Sequence, residues 1–156
     1  MAAMLGTVAE LEALMENRPD QTRTYQLDPS ADDLITFIKS LEPNGPTRFM
    51  DSSEMAELAR YLGLPVDEFH GTFTVADITC PGCGRRATIL DLAKTGVDRG
   101  WHTVPELAAV LSGKAGKWVT VRGKDGGRRF DCAECGRESE STFYEYLCDP
   151  FGYLYA

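Results

Sequence analysis

Two short stretches decide the fold of this chain: Cys80-Pro81-Gly82-Cys83-Gly84 and Cys132-Ala133-Glu134-Cys135-Gly136. In each stretch two residues separate a pair of cysteines, and a glycine follows the second cysteine. A turn of this length can direct both sulfurs at one point, and a glycine suits the bend because it has no Cβ. Backbone N–H groups in such a turn face the sulfurs and reduce their charge. Zinc prefers four thiolates at tetrahedral corners, about 2.3 Å from each sulfur. We therefore expect one structural zinc ion, with the ligands Cys80, Cys83, Cys132 and Cys135.

Three other uses of these cysteines compete with zinc binding. The N-terminus lacks the basic stretch and long apolar region of a signal peptide, so we expect a cytoplasmic protein, and reduced cytoplasmic thiols disfavour disulfides. A redox role is suggested by the likeness of the 80–83 turn to thioredoxin-type motifs, but the matching second pair favours a metal. Iron in a rubredoxin-like site would use the same four ligands. We favour zinc over iron.

The segments around both turns are predicted to be strands. These strands cover residues 72–79 and 86–92 around the first turn, and residues 128–132 and 138–147 around the second. Together with the cysteines, Pro81, Gly84 and Gly136, the arrangement resembles the zinc-ribbon or zinc-knuckle class over roughly residues 72–147. The resemblance implies two hairpins whose tips meet around the metal. Because 48 residues separate the two turns, more than in a simple ribbon, we expect an elaborated ribbon; loop closure costs grow only with the logarithm of length.

The remaining elements are mainly helices that begin at recognisable caps. Capping boxes start at Thr7 and Thr103, Ser30 caps a second helix, and Asp51 or Ser52 caps a third. The predicted helices span about residues 7–17, 30–41, 51–63 and 103–111, and a strand is predicted over residues 22–27. We therefore predict an α+β fold in which N-terminal helices pack with an antiparallel β region. Residues 1–71 form a mainly helical acidic region, and residues 72–156 form a zinc-ribbon-like β region with an inserted helix, in one compact unit.

Charge is unevenly distributed along the chain. The net charge is −8, and residues 1–77 carry five Lys/Arg against 14 Asp/Glu, whereas residues 78–156 carry 11 against ten. A strand over 117–122, a turn and a return strand over 128–132 predict a basic hairpin, residues 114–129. Basic and aromatic side chains together suit phosphates and bases. The candidate anion or nucleic-acid contacts are Lys117, Trp118, Arg122, Arg128 and Arg129. A solvated hairpin that happens to be basic is the alternative, which we favour.

Three further residues have no assigned role. Cys148 has no partner at ligand spacing, and a small apolar residue beside the C-terminal aromatic segment is favoured over a reactive thiol. His70 and His102 are isolated in the sequence. We interpret each histidine as a surface or hydrogen-bonded core residue rather than as a metal ligand or a catalytic group.

The sequence contains no recognised catalytic motif: no phosphate-binding glycine loop, no His-Glu-x-x-His helix and no nucleophile elbow. A zinc ion held by four cysteines lacks the open position that zinc catalysis requires. We expect a non-enzymatic binding protein, such as an adaptor, an accessory subunit or an immunity-type protein, that acts through protein–protein contacts. The alternative is a nucleic-acid-binding zinc-ribbon protein that uses hairpin 114–129, although the acidic net charge opposes it. No apolar run approaches the roughly 20 residues of a membrane span, so no membrane contact is expected.

Overall fold

The computed structural model describes residues 4–40, 46–69, 72–114, 116, 118–121, 123–124, 129–140, 147–148 and 153–155. The helices and strands of these residues confirm the predicted α+β class. The helices are α1 (Val8–Glu16), α2 (Asp32–Ser40), α3 (Ser52–Leu62), α4 (Ile89–Asp98) and α5 (Val104–Leu111), and a 3-10 turn covers Val66–Glu68. The strands are β1 (Met4–Leu5), β2 (Arg23–Leu27), β3 (Thr47–Phe49), β4 (Thr74–Ala76), β5 (Trp118–Val121), β6 (Arg129–Asp131), β7 (Glu138–Glu140), β8 (Leu147–Cys148) and β9 (Tyr153–Tyr155).

A five-stranded sheet, in the order β1-β2-β5-β9-β8, packs against α1 and α2. β2 and β5 are antiparallel, with Tyr25 opposite Val119, whereas β1 runs parallel to β2 and β9 runs parallel to β5. Val119 and Val121 are both buried with the helices, because residues two apart in a strand share a face. The sheet pairs strands from both sides of residue 71. The predicted division of the chain at that residue stays a prediction.

A second hydrophobic cluster lies among α3, α4, α5 and the short β3–β4 and β6–β7 sheets. Phe73, which is fully buried, packs edge-on against Phe69 with ring centroids 5.4 Å apart. Phe130 brings β6 into the same cluster. The two cysteine turns are therefore attached to this second cluster, because the segments that flank them contribute to it.

The caps of the first and third helices act as the sequence predicts. Thr7 accepts a hydrogen bond from the Glu10 N–H at 3.2 Å, although the Glu10 carboxylate accepts from the Thr7 hydroxyl rather than from its amide. Asp51 and Glu54 form a complete capping box at α3, and Gly63 ends this helix with a φ of 71°. A glycine suits that position because side chains with a Cβ are strained at positive φ.

The second helix begins later than predicted, at Asp32 rather than at Ser30. Ser30 donates from its backbone N–H and from its hydroxyl to the Asp28 carboxylate, at 2.9 and 2.7 Å. Since aspartate side chains readily bond to the chain two residues on, this local turn replaces the expected cap.

The predicted strand over residues 86–92 is wrong. α4 begins at Ile89, and Thr88 with Asp91 forms its capping box. The β-branched residues Thr88 and Ile89 favour a strand locally. The box satisfies the first N–H groups of the helix, and burial of its apolar face then determines the structure.

The predicted basic hairpin is also wrong in its strand pairing. β5 pairs with β2 and β9, whereas β6 pairs with β7. The physical reason is burial: Val119 and Val121 enter the cluster of α1 and α2, while Phe130 enters the cluster of α3, α4 and α5. The two strands thus belong to different sheets.

Over the residues described above, no helix combines the length and the apolar character that crossing a bilayer requires.

Candidate metal centre

The four predicted cysteine ligands lie together, and all four sulfurs are within 4.8 Å of one another. The closest pairs are Cys80 with Cys135 and Cys83 with Cys132, each with an Sγ–Sγ distance of 3.6 Å. A tetrahedron with metal–sulfur bonds of about 2.3 Å has edges of about 3.8 Å. The sulfurs are too far apart for disulfides, whose bond is about 2.05 Å. Their spacing fits one tetrahedral metal ion.

The two cysteine turns share one backbone conformation. In the first turn the Cys80 N–H donates to the Arg85 carbonyl at 2.7 Å, and the Gly84 N–H donates to the Cys80 carbonyl at 3.0 Å. The second turn repeats both bonds, from Cys132 to Arg137 and from Gly136 to Cys132, each at 2.9 Å. The glycines have φ values of 81° and 78°. This shared conformation explains why both motifs end in glycine, because a residue with a Cβ is strained at that φ.

The segments that flank the turns differ from the expected pair of hairpins. β6 and β7 form a true hairpin around the second turn, with Phe130 opposite Ser139. The first turn is closed only by a single antiparallel bridge between Thr79 and Arg86, after which the chain enters α4. A helix therefore occupies the place of one predicted ribbon strand.

Electrostatics within the cluster make the thiols unequal. Backbone N–H groups of Cys83 and Gly82 lower the pKa of Cys80 to about 7. The Arg85 N–H lowers the pKa of Cys83, but desolvation and the neighbouring sulfurs outweigh it and raise that pKa to about 12. The pKa of Cys135 is also raised: the Arg137 N–H lowers it, but the Cys80 sulfur and desolvation raise it more. Four thiolates this close repel one another, so a bound dication would stabilise their deprotonated forms.

Burial divides the ligands into two inner and two outer sulfurs. Cys80 and Cys132 are buried, whereas Cys83 and Cys135 are exposed. The Glu134 carboxylate lies 4.0 Å from the Cys83 sulfur. In the described part of the chain this is the one group of three or more side chains arranged to hold a metal. With four cysteines as ligands, the coordination of a tetrahedral ion would be complete.

Of the other predicted contact residues, the structure describes two, which lie in different sheets. Trp118 is half-buried in β5, and Arg129 is exposed in β6 of another sheet. The Arg129 guanidinium lies 3.6 Å from the Glu138 carboxylate. Lys117, Arg122 and Arg128 lie outside the described residues. Their roles as anion or nucleic-acid contacts stay predictions.

His102 is a buried core residue, with 7% of its side chain exposed. Its Nδ1 lies 3.4 Å from the Thr24 hydroxyl and 3.6 Å from the Glu106 carboxylate. Burial lowers the pKa of His102 despite this carboxylate, because desolvation penalises the charged ring. His70 is outside the described residues. For Cys148, the structure describes only the backbone, in β8.

Arg85 and Asp91, which no sequence motif singled out, lie at the base of the two turns. The Arg85 Nε donates to the Asp91 carboxylate at 3.1 Å, and the Asp91 side chain is 1% exposed. The signal that could have identified Asp91 is the capping-box spacing from Thr88. That spacing predicts a helix start but not the contacts of the carboxylate with both cysteine turns.

One known family matches most of this chain. The family DUF8243, described as a domain of unknown function, matches residues 37–155. The chain belongs to the DUF8243 family. The matched range contains both cysteine turns and the whole second hydrophobic cluster, whereas α1 and β2 lie before it. No curated protein and no solved structure matches the chain. Functional inference for this member of DUF8243 therefore rests on its own site.

Proposed function

We propose that this DUF8243 protein is a zinc-stabilised, non-enzymatic binding protein with a zinc-ribbon-like centre. The observation that carries the proposal is the cluster of Cys80, Cys83, Cys132 and Cys135, with all four sulfurs within 4.8 Å. Two turns with matching hydrogen bonds present these sulfurs. Zinc is the ion for which four thiolates at this spacing are the commonest structural ligands.

A structural role follows from the ligand set. Four thiolates complete a tetrahedral coordination sphere, so none of the four positions is open to a substrate or an activated water. The turns are attached to segments of the second hydrophobic cluster. Metal binding would therefore contribute directly to the stability of these segments, since binding energy in such sites is folding energy.

Protein–protein contact is the proposed activity of the molecule. Residues 1–77 carry a net charge of −9, five Lys/Arg against 14 Asp/Glu, and would attract a basic partner. On the short β3 strand, Phe49 is 72% exposed. Aromatic residues often anchor interfaces because they bury a large area with little loss of side-chain freedom. The adaptor, accessory-subunit and immunity-type roles all use such a surface.

Nucleic-acid binding is the second candidate. Arg86 and Arg129, each 55% exposed, and Arg137 lie close in sequence to the cysteine turns and support it. The separation of β5 and β6 into different sheets weakens it, because Trp118 and Arg129 then do not share one hairpin. The net charge of −8 also opposes nonspecific binding. We rank it below protein binding.

Elemental analysis of the purified protein tests the metal centre. We expect about one zinc per chain, as a closed four-ligand site requires. Cys132→Ser should lose most of this zinc, whereas Cys148→Ser should keep it and serves as the matched control. A colourless, metal-free sample with four freely titrating thiols would refute the proposal, and one iron per chain would change the identity of the ion.

Co-purification from native cells, followed by mass spectrometry, tests the proposed activity. We expect one protein to elute with this chain at a fixed stoichiometry. Salt-dependent binding of DNA or RNA with submicromolar affinity at physiological salt would instead favour the second candidate. In that case, charge reversal of Lys117, Arg122, Arg128 and Arg129 together should abolish the affinity and its salt dependence.

A further inference from the structure

The two cysteine turns are distant in sequence, and groups other than sulfur hold them side by side. The segment between Cys83 and Cys132 contains 48 residues. If only the metal joined the turns, binding would have to close this long loop at an entropic cost. The structure places the buried Asp91 carboxylate, at the start of α4, between the two turns.

One oxygen of Asp91 accepts hydrogen bonds from both turns. Its Oδ1 accepts from the Arg85 Nε at 3.1 Å and from the backbone N–H of Ala133 at 2.8 Å. Arg85 belongs to the first turn, where its carbonyl accepts from the Cys80 N–H. Ala133 directly follows Cys132 in the second turn. The carboxylate thus links the backbone beside one buried cysteine to the turn of the other.

The second oxygen of Asp91 fixes the carboxylate to its own helix. Oδ2 accepts from the Thr88 N–H at 2.8 Å and from the Thr88 hydroxyl at 3.3 Å. The Arg85 guanidinium also pairs with Glu57 of α3 at 2.6 Å. Because both oxygens are engaged and the side chain is buried, the carboxylate has one fixed position.

The same face of α4 continues this contact along the second hairpin. Thr95 accepts from the Asp131 N–H at 2.9 Å, and Arg99 donates to the Arg129 carbonyl at 2.9 Å. Residues 91, 95 and 99 are four apart and therefore lie on one side of the helix. Thr95 of α4 and its C-cap residue Arg99 thus hold β6, and Asp91, nearest the cysteines, holds the turn that follows this strand.

We propose that Asp91 is a positioning residue of the metal centre, whose carboxylate docks the second cysteine turn onto the first before the ion binds. The expected consequence of this docking is a higher metal affinity, and this part of the inference rests on the proposed metal site. The docking itself uses the Ala133 amide rather than a sulfur, so it can be measured without metal. Groups around a metal site that orient its ligands typically change affinity about 10–100-fold when they are removed.

The sharpest test is Ala133→Pro, which removes the single N–H that the second turn donates to Asp91. The first turn carries Pro81 at the matching position, and the two turns share their other backbone bonds. The proline should therefore be compatible with the turn. Ala133→Ser keeps the N–H and is the matched control. Zinc and cobalt affinities are measured by competition with a chromophoric chelator, and the cobalt spectrum reports the tetrahedral thiolate geometry.

We expect Ala133→Pro to weaken zinc binding about 10–100-fold, and Ala133→Ser to bind as wild type does. Asp91→Ala, which removes both acceptor oxygens, should weaken binding similarly, with exposed Asp98→Ala of the same helix as its control. In a double-mutant cycle, Ala133→Pro should add little to Asp91→Ala, because both remove the hydrogen bond between Asp91 and Ala133. Unchanged affinity in Ala133→Pro, or fully additive effects, would overturn the inference while leaving the zinc site intact.

Amide hydrogen exchange of the metal-free protein completes the test. We expect residues 129–140 to lose protection in Ala133→Pro and in Asp91→Ala, while the helices α1 and α2 keep theirs. A wild-type protein that binds neither zinc nor cobalt would refute the proposed function. Hydrogen exchange would then test only whether Asp91 docks the second turn onto the first. Equal protection of 129–140 in wild type and both variants would refute the docking.

Discussion

Gly96→Ala should destabilise this protein, although the same change in most helix interiors stabilises. A Cβ built at Gly96 would lie 2.7 Å from His102 Cδ2 and 3.4 Å from its Nε2. The ring is buried, and the backbone N–H groups of Trp101 and His102 donate to the Gly96 carbonyl at 2.8 and 3.3 Å. The helix and the following turn are thus closely packed at this glycine.

The magnitude follows from two opposed effects. Alanine is favoured over glycine by about 1 kcal/mol in a helix interior. Carbon atoms pack best at about 3.5–4.0 Å, so the new methyl group would be about 1 Å too close to the ring. Overpacking of a filled site costs about 1–3 kcal/mol. His102 is restrained by Thr24 and Glu106, so it has little room to move. We expect a net loss of about 1 kcal/mol, within a range of about 0–2.

Urea denaturation of the metal-saturated protein measures this change. With a dependence on urea of about 1–3 kcal/mol per molar, the midpoint should fall by roughly 0.3–1 M. Gly96→Ala should cost less when it is made in a His102→Ala background, since the ring and the methyl group compete for one space. Lys94→Ala, elsewhere in α4, is the control for a change of helix propensity. If Gly96→Ala is more stable than wild type, the His102 ring yields freely and the steric argument fails.

Three further predictions concern charge, turn geometry and metal. A hydrogen bond from Arg48 lowers the pKa of the Glu54 carboxyl in the folded protein below its ordinary value of 4.5. The ionised carboxylate therefore contributes to the free energy of unfolding above pH 4.5, and this contribution should be lost as the pH falls through the lower pKa of the folded state. Glu54→Gln should lose this pH-dependent contribution, which urea midpoints measured at several pH values would show. If the urea midpoints of the variant and of wild type depended on pH in the same way, the prediction would be wrong. Gly136→Ala should cost about 1–2 kcal/mol because of its positive φ, and Gly136→Asn should cost less; equal urea midpoints would argue against the strain. Chelation should expose residues 78–87 and 129–140, which carry the cysteine turns, to protease before α1 and α2, which pack in the other hydrophobic cluster, and simultaneous cleavage would contradict it.

The cluster of four cysteines could be predicted because its information is local. Two residues between cysteines and a following glycine determine where each pair of sulfurs points, whatever lies between the pairs. The helix caps at Thr7, Asp51 and Thr103 are local in the same way, because each joins a side chain to an N–H three residues on. These features needed no knowledge of the remaining chain.

The segment from Thr88 to Leu92 shows where local reasoning failed. Its β-branched start suggested a strand, and the capping box of Thr88 and Asp91, together with the burial of one helical face, selects α4. The partners of β5 are also non-local, since the alternation of Val119 and Val121 is compatible with a hairpin to β6 or with the observed pairing to β2. A strand pattern specifies which face is buried but not which strand lies beside it.

The sequence by itself determined the cluster of four cysteines, the turns that present their sulfurs and most helix starts. Only the tertiary structure decided that α4 lies between the two turns and that one oxygen of Asp91 accepts from both Arg85 and Ala133. The physical reason is the separation in sequence between the groups that interact. A turn or a cap is stabilised by bonds across a few residues, whereas Asp91 and Ala133 are 42 positions apart. Their contact exists because the packing of the second hydrophobic cluster brings β6 onto α4.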